Sequence, residues 1–364
     1  VFLQQANSDS ERAGGGVVTD GFYASAPLFV DSLNGDSVRL AARIQDVYGD
    51  MPTWRSFTAA DAGVAIVYGL NASGAGARGV SISDQRSMIR DRWLELDSPE
   101  NSIPAFVGPL YFDANRTAPR AVAIGIASGN LFDSAPRQIT LAASGGGTSS
   151  GEETIQVGDT TFVVQRVVQS GVDFNLIRDL NTVTETFFAD FFVWFKYHGD
   201  DDAADVVYTN ISDPQTLTID EVRSTEVDGL KYKVFRITGT FTSPLDFHAF
   251  PFDTQDLMVH FQNRTLPTSQ LVYAIDSDFL RIPVSDRLLI GGNATESISQ
   301  INNWHANDLQ VFAGSVGTSS NLGDPEAKSA SQGIEFSQVG VNIDISRNVA
   351  QFLLKNLLPL ILLL

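Results

Sequence analysis

The sequence predicts three successive parts: an α/β fragment, an all-β Greek-key sandwich and the start of a transmembrane helix. Hydrophobic spacing is partly helical and partly strand-like before a Gly/Ser-rich run, and strand-like after it. Lysine is absent up to residue 150, whereas five lysines follow. The chain closes on an almost uninterrupted apolar segment. These observations divide the 364 residues into an α/β part at 1–141, a linker at 142–153, a sandwich at 154–348 and a membrane segment at 349–364.

The composition narrows the class of protein. Hydrophobic residues make up 43% of the chain and charged residues only 18%, so the chain is able to bury sizeable cores. The formal net charge is −19, and such acidity argues against a nucleic-acid partner because phosphates select Lys and Arg. The absence of cysteine excludes disulfides and thiolate zinc sites.

The first part alternates strand-like and helical segments. A strand-like stretch at 16–29 precedes apolar residues at helical spacing over 34–48. Residues 57–70 are apolar nearly all round, which predicts a buried helix. An amphipathic helix is predicted over 83–96, with Ser83 as its N-cap. A hairpin follows, with predicted strands at 107–112 and 121–126 around a turn.

The second part reads as strands throughout. Its apolar runs are rich in Val, Phe, Ile and Thr, and Gly, Pro, Asp and Asn separate them. No long helical period occurs before residue 349, so we expect an antiparallel sandwich with Greek-key connections. The predicted strands are 161–168, 186–197, 230–241, 257–261, 309–312 and 334–345.

The apolar end admits two interpretations. As a helix, the thirteen residues 352–364 would extend about 20 Å, whereas the hydrocarbon core of a bilayer is about 30 Å thick. They form either a docked C-terminal helix or a membrane helix that is cut part-way. Since the chain also begins without Met or a signal peptide, we expect it to be the interior of a longer protein.

Catalytic and metal motifs are weak. The four histidines lack zinc-binding spacing, and no nucleophile elbow, phosphate loop or dinucleotide fingerprint occurs, which disfavours an enzyme. The run Asp200-Asp201-Asp202 offers hard oxygens for Ca²⁺, but it also fits a solvated turn. We therefore expect no cofactor, with calcium as the one candidate.

The most specific string is 243–257, which contains Phe250-Pro251-Phe252-Asp253. It resembles the signature loop of pentameric ligand-gated ion channels, the Cys-loop or pro-loop receptors. Ser243 and Leu257 stand where animal members have cysteines, which is the prokaryotic pattern. The resemblance covers about 155–364, and it includes the flanking segments 185–197, 232–241 and 341–348 in the family's order.

The resemblance implies an agonist site between adjacent subunits. The capping loop at 313–335 is Gly/Ser-rich without an aromatic residue at its tip, which argues against an amine-type aromatic cage. The implied positions are Gln262, Asn263, Arg264, Phe312 and Phe336 on the principal face, and Phe192, Trp194 and Arg236 on the complementary face.

The resemblance also implies residues that couple binding to gating. Asp253 and Arg347 match an ion pair at the membrane-facing end, beside Phe250, Pro251 and Phe252 of the signature loop. The loop 178–185 should face the pore domain. Where relatives often carry an acid in that loop, this sequence has Thr182, and Asp179 or Glu185 is the expected substitute.

The first part is similar to the C-terminal portion of a type 1 periplasmic binding protein. Four motifs carry this resemblance in order, at 18–32, 48–52, 57–62 and 108–115. It implies a partial ligand-binding lobe, in which only Tyr23 and Ser25 lie near the expected cleft. The other interpretation is a free-standing α/β accessory domain.

Together the resemblances imply the periplasmic or extracellular part of a prokaryotic pentameric channel. We expect a homopentamer in the bacterial inner membrane that contacts lipid, and a small molecule or the proton as agonist. The alternative is a membrane-anchored solute-binding protein without channel activity.

Overall fold

The structure is a computed structural model, and the chain in it is mostly β with several antiparallel sheets. It forms two compact units, Val1–Ala135 and Pro136–Leu364. Most of the predicted linker, the tip of the capping loop and the apolar tail from 354 onward lie outside the described residues. The described residues are 21–49, 52–76, 79–128, 131–142, 152–282, 284–288, 301, 303–317, 333–350 and 353.

Unit 1 combines a small antiparallel sheet of three strands with three α-helices in its described residues. The first helix begins where the sequence predicts, because the Asn34 side chain accepts a hydrogen bond from the Ser37 amide and caps it. It ends at Gly49, whose φ of 79° favours glycine. The elements are β1 Tyr23–Ala26, α1 Gly35–Tyr48, α2 Trp54–Ser73, α3 Ile82–Leu94, β2 Ala123–Ser128 and β3 Leu131–Ser134.

Three expectations for unit 1 are wrong in detail. The N-cap of α3 is Ser81, not Ser83, since the Ser81 hydroxyl accepts from the Asp84 amide. Helix α2 is not buried all round, because apolar side chains such as Ile66 and Val67 are exposed. The predicted hairpin is absent: its turn forms, but 107–112 is not a strand, and β2 pairs with β1 and β3 instead.

A buried carboxylate, Asp31, ties β3 to the turn before α1. Asp31 is 1% exposed and accepts hydrogen bonds from the amide of Ser134 at 2.5 Å and its hydroxyl at 2.9 Å. Burial raises the pKa of Asp31 to about 7, although these bonds oppose the rise. The folded protein therefore binds a proton at Asp31 over a pH range in which the unfolded chain has released it.

Replacing Asp31 with Asn is expected to flatten the pH dependence of stability. Because the folded pKa lies above the unfolded one, the wild-type protein loses stability as pH rises from about 4 to about 7, by roughly 3–4 kcal/mol. Thermal unfolding followed by circular dichroism over this range measures the slope. Asp36→Asn, at an exposed carboxylate, is the control and should keep the wild-type slope. An unchanged slope in Asp31→Asn would contradict the assignment.

Unit 2 consists of two sheets that share one hydrophobic core. The elements are β4 Arg137–Leu141, β5 Glu153–Val157, β6 Thr160–Asn181, β7 Thr186–His198, β8 Val206–Tyr208, β9 Thr218–Val227, β10 Leu230–Thr242, β11 Thr254–Asn263, β12 Leu271–Ile275, α4 Ser277–Leu280, α5 Val284–Arg287, β13 Trp304–Gly317 and β14 Glu335–Arg347. The larger sheet has the order β12-β6-β7-β10-β9, and β4 and β5 also pair with β6. The smaller sheet has the order β13-β14-β11-β8.

Alternation along the strands fixes which side chains enter the core. On β7, Phe187, Phe191 and Phe195 are fully buried, whereas Phe192 and Trp194 between them point to the outer face. All six strands predicted for this part are present; five lie within the observed strands, and the sixth, 334–345, begins one residue before β14. The unit begins before the predicted linker, because β4 pairs with β6.

Candidate functional site

The signature loop is closed at its base by hydrogen bonds. The Ser243 hydroxyl donates to the carbonyl oxygen of Asp256 at 2.6 Å and accepts from the amide of Met258 at 3.2 Å. These two partners flank Leu257, so the Ser243 hydroxyl links the two ends of the loop. The amide of Ser243 also donates to the carbonyl oxygen of Glu185, which joins the loop to the neighbouring turn.

The predicted ion pair between Asp253 and Arg347 is present and nearly buried. The Nε and Nη2 atoms of Arg347 lie 2.7 and 2.9 Å from the two carboxylate oxygens of Asp253, whose side chain is 1% exposed. Gln255 donates a further hydrogen bond to Asp253 at 2.9 Å. The Arg347 guanidinium holds the pKa of Asp253 below its usual range. The pair therefore fastens the signature loop to the last residue of β14.

Aromatic rings surround the Arg347 guanidinium. Its central carbon lies 4.2 Å from the ring centroid of Trp304 and 5.0 Å from that of Phe250. Such cation–π contacts strengthen when the cation is shielded from water. Sequence reasoning missed Trp304, because its position opposite Arg347 follows from the pairing of β13 with β14.

The same end of the sandwich exposes apolar side chains. Val183 is 89% exposed, Phe252 71% and Phe250 51%. Val183 is held at the tip of the β6–β7 turn because the Asn181 side chain accepts hydrogen bonds from the amides of Val183 and Thr184. Exposed apolar residues that cluster at one end of a domain favour an apolar partner there.

The acids expected to couple through the β6–β7 turn differ in their surroundings. Asp179 pairs with its neighbour Arg178 at 2.9 Å, so its charge is already matched. The side chain of Glu185 is half-buried. Both residues adopt left-handed backbone angles, with φ of 57° and 53°. The coupling role expected of Asp179 or Glu185 stays a prediction.

Arg236 and Phe192 lie together on the outer face of the larger sheet. They are direct cross-strand partners on β10 and β7. Both Nε and Nη2 of Arg236 contact the Asp190 carboxylate, at 3.0 and 2.7 Å, and Arg236 lowers the pKa of Asp190. An anionic ligand would have to compete with Asp190 for this guanidinium.

Trp194 is more constrained than a ligand-facing aromatic residue would be. Its indole nitrogen donates to Asp276 at 2.6 Å, and Lys196 contacts the same carboxylate at 2.8 Å. Its ring lies against Gly171, where an added Cβ would be 2.2 Å from the ring. Trp194 therefore packs β7 against β6 and α4, and only part of its ring faces solvent.

The principal-face positions are distributed over the smaller sheet. Gln262 and Phe312 point to its outer face, and the ring of Phe312 covers Gly340. Phe336 lies further along the same face of β14. The amide of Asn263, by contrast, is fully buried and organises the following turn, accepting from the amides of Thr265 and Leu266.

Arg264 is also engaged within the domain. Its Nε lies 3.0 Å from a carboxylate oxygen of Asp205, and Nη2 donates to the carbonyl oxygen of Val206. Asn263 and Arg264 are thus committed to internal contacts, whereas Gln262, Phe312 and Phe336 present surface. The two predicted faces lie on opposite sides of one sandwich, so within a single chain they do not form one site.

Three aspartates that sequence reasoning missed lie in a row across the smaller sheet. Asp256 and Asp308 are the direct cross-strand partners of Asp344. Burial raises the pKa of Asp344, and both neighbouring carboxylates add to the rise. Asn342 donates to Asp256 at 3.0 Å. Alternation along each strand predicts that these three positions face outward. Only the register between the strands brings the three aspartates together, and the sequence alone does not give that register.

The positions predicted for metal and solute binding do not come together in one site among the described residues. Among the described residues, no group of three or more His, Asp or Glu side chains is arranged to hold a metal ion, and Asp202 pairs with Arg166 at 3.1 Å. Tyr23 and Ser25 both point to the exposed face of β1. Unit 1 has a groove of about 360 Å³, whose lining includes Arg39, Arg43 and Phe106.

Comparisons with known proteins do not identify the chain. No model of a known protein family matches the sequence, and no curated protein matches it. Within the ranges given above, no helix has the length and apolar character needed to cross a membrane. The predicted membrane segment begins at 349, and nearly all of it lies outside those ranges.

Proposed function

We propose that this chain is the periplasmic or extracellular part of a pentameric ligand-gated ion channel of a bacterial inner membrane. The observation that carries the proposal is the buried pair of Asp253 and Arg347. It joins the signature loop to the strand that leads directly into the apolar segment. A rigid link at this point would pass a movement of the sandwich to a membrane helix.

The exposed apolar end supports this orientation. Phe250, Phe252 and Val183 would contact the pore domain or the lipid headgroup region. The apolar segment after 349 would be the start of the first membrane helix, and the two sheets would form the Greek-key sandwich of this class. Unit 1, a three-stranded sheet with helices, would be part of a periplasmic-binding-protein-like lobe.

Agonist binding would take place between copies in a homopentamer. Phe192 and Arg236 lie on one outer face, and Gln262, Phe312 and Phe336 lie on the opposite face. Two neighbouring copies would bring these faces together at a shared boundary. The agonist would be a small molecule that meets Phe192, or the proton, for which the row around Asp344 is a receptor.

Electrophysiology of the full-length protein in planar bilayers tests the proposal. We expect currents evoked by acidification or by a small-molecule agonist, and we expect Phe192→Ala to reduce the response to the small molecule. Val222→Ala, at an exposed position of β9, is the matched control. Absence of current under every pH and ligand condition, from protein that is folded and pentameric by light scattering, would contradict a channel.

The alternative is a membrane-anchored solute-binding protein. The groove of about 360 Å³ on unit 1 favours it, because Arg39 and Arg43 lie one helical turn apart beside apolar wall residues. Light scattering in detergent separates the two, since a monomer that binds solute without conducting ions fits only the alternative.

A further inference from the structure

The groove on unit 1, of about 360 Å³, lies between α1, α2 and the loop at 104–106. Small-molecule sites in proteins typically have volumes of about 300–1,000 Å³. One side of the groove is a stripe along α1, because helical residues three or four positions apart lie on the same face. The lining includes Asp36, Arg39, Leu40, Arg43, Val64 and Phe106.

The loop that carries Phe106 is fixed to both helices by buried polar groups. The hydroxyl of Ser37, a buried residue of α1, donates to the carbonyl oxygen of Phe106 at 2.8 Å. The carboxylate of Asp61, which is 1% exposed on α2, accepts from the amides of Phe106 at 2.7 Å and Val107 at 3.4 Å. Arg120 pairs with the same carboxylate at 2.8 Å. A ligand therefore does not have to order this loop, which removes one entropic cost of binding.

Part of the lining is apolar. The side chains of Leu40 and Phe106 are partly buried, and they pack against the hydrophobic core of unit 1 around Phe57. Val64 adds another partly buried side chain from α2. An apolar group that covers these side chains would leave water and extend that core. The groove thus favours a ligand with an apolar body.

The charged part of the lining has a surplus of positive charge. The carboxylate of Asp36 pairs with Arg39 at 2.7 Å. Arg43 lies one helical turn beyond Arg39 and is exposed, and no acidic side chain of the described residues pairs with it. An incoming carboxylate would therefore meet the Arg43 guanidinium without displacing a partner. An ammonium group, by contrast, would find the carboxylate of Asp36 already engaged.

We propose that this groove binds a small carboxylate that has an apolar body and no amino group, and that Arg43 donates hydrogen bonds to the carboxylate. The planar guanidinium of arginine matches the two oxygens of a carboxylate. An apolar cavity of about 150 Å³ accommodates benzene, so a groove of about 360 Å³ has room for a ring, a short chain and the carboxylate. The site goes beyond the proposed channel, since it lies within unit 1 and needs neither a second copy nor a membrane.

Three probes of similar shape separate these features: 3-phenylpropanoate, its amide 3-phenylpropanamide, and the amino acid phenylalanine. Titrations of the full chain followed by saturation-transfer NMR are expected to show saturable binding of 3-phenylpropanoate at low salt. This binding should be about tenfold tighter than that of either other probe. Because the guanidinium is exposed, added salt should reduce the preference for the carboxylate over the amide.

Single substitutions test the assigned contacts. Arg43→Gln removes an exposed charge and should fold, and it is expected to abolish the preference for the carboxylate over the amide. Arg86→Gln, at an exposed arginine of α3 outside the lining, is the matched control and should keep the preference. Val64→Trp should eliminate binding by filling the groove, whereas Ile66→Trp, at an exposed position of the same helix, should leave it unchanged. Asp36→Asn should tighten the binding of 3-phenylpropanoate, a gain that a misfolded variant would not show.

Each part of the proposal has a result that overturns it. Failure of 3-phenylpropanoate to bind the wild-type chain would overturn the site. Equal affinities for the carboxylate and the amide, or a preference that survives in Arg43→Gln, would overturn the role of Arg43. An equal affinity for phenylalanine would overturn the exclusion of an amino group. None of these outcomes depends on ion conduction or on pentamer assembly, so the proposed channel is tested separately.

Discussion

Asp253→Ala is expected to lower the free energy of unfolding of the sandwich by about 3–5 kcal/mol, because it leaves the Arg347 guanidinium buried without its partner. The Arg347 side chain is only 11% exposed. Trp304 and Phe250 attract the cation but do not neutralise it. In the proposed channel, the same change is expected to abolish gating while the folded protein still assembles into pentamers.

The control is an ion pair of the same chemistry at the surface. Asp205→Ala removes the partner of Arg264, and both side chains of that pair are about half exposed. It should therefore cost no more than about 1 kcal/mol. Urea unfolding followed by tryptophan fluorescence measures both variants. Equal costs for the two, or normal currents from Asp253→Ala, would contradict a coupling role.

The pH dependence of stability provides a second test of the Asp253–Arg347 pair. The pKa of Asp253 is lowered in the folded protein, chiefly by Arg347, so its contribution to stability is complete above the unfolded pKa of about 4. That contribution is lost as pH falls through the folded pKa. Asp253→Ala lacks this contribution. The difference in free energy of unfolding between the variant and the wild type should therefore narrow below pH 4.

The sequence predicted those parts of the fold in which one face of a strand is buried. β7 and β10 are rich in aromatic and β-branched residues, and their predicted bounds differ from the observed ones by no more than one residue. Strand β9 was missed because all ten of its residues are exposed, so it has no apolar face to produce a period. Strand β8 has only three residues, too few to show alternation.

Other differences arise from tertiary contacts that spacing does not encode. The apolar composition of α2 predicted burial, but only one stripe of it, at Phe57, Asp61, Ala65 and Gly69, is covered in unit 1. The Asp253–Arg347 pair was implied by resemblance alone, since the two residues are 94 positions apart. Trp304 and the aspartate row at Asp344 required the register of three strands, which depends on turns and bulges along the chain.

The alternation on β7 itself predicts a large difference between two adjacent phenylalanines. Phe191 is fully buried, and its ring stacks on Phe174 at a centroid distance of 4.8 Å. Phe191→Ala should therefore cost about 3–5 kcal/mol, a large part of the stability of a typical domain. Phe192 is only half-buried on the outer face, so Phe192→Ala should cost about 1 kcal/mol or less.

The two variants carry the same chemical change one residue apart, which makes each the control for the other. Urea unfolding gives the stability difference, and the proposed agonist response gives the functional one. Phe191→Ala should reduce the amount of folded protein, whereas Phe192→Ala should fold normally and respond weakly. Reversed stabilities would mean that the register of β7 is shifted by one residue, because such a slip exchanges the two faces of a strand. Phe192 and Trp194 would then point into the core, and the proposed agonist face would be excluded.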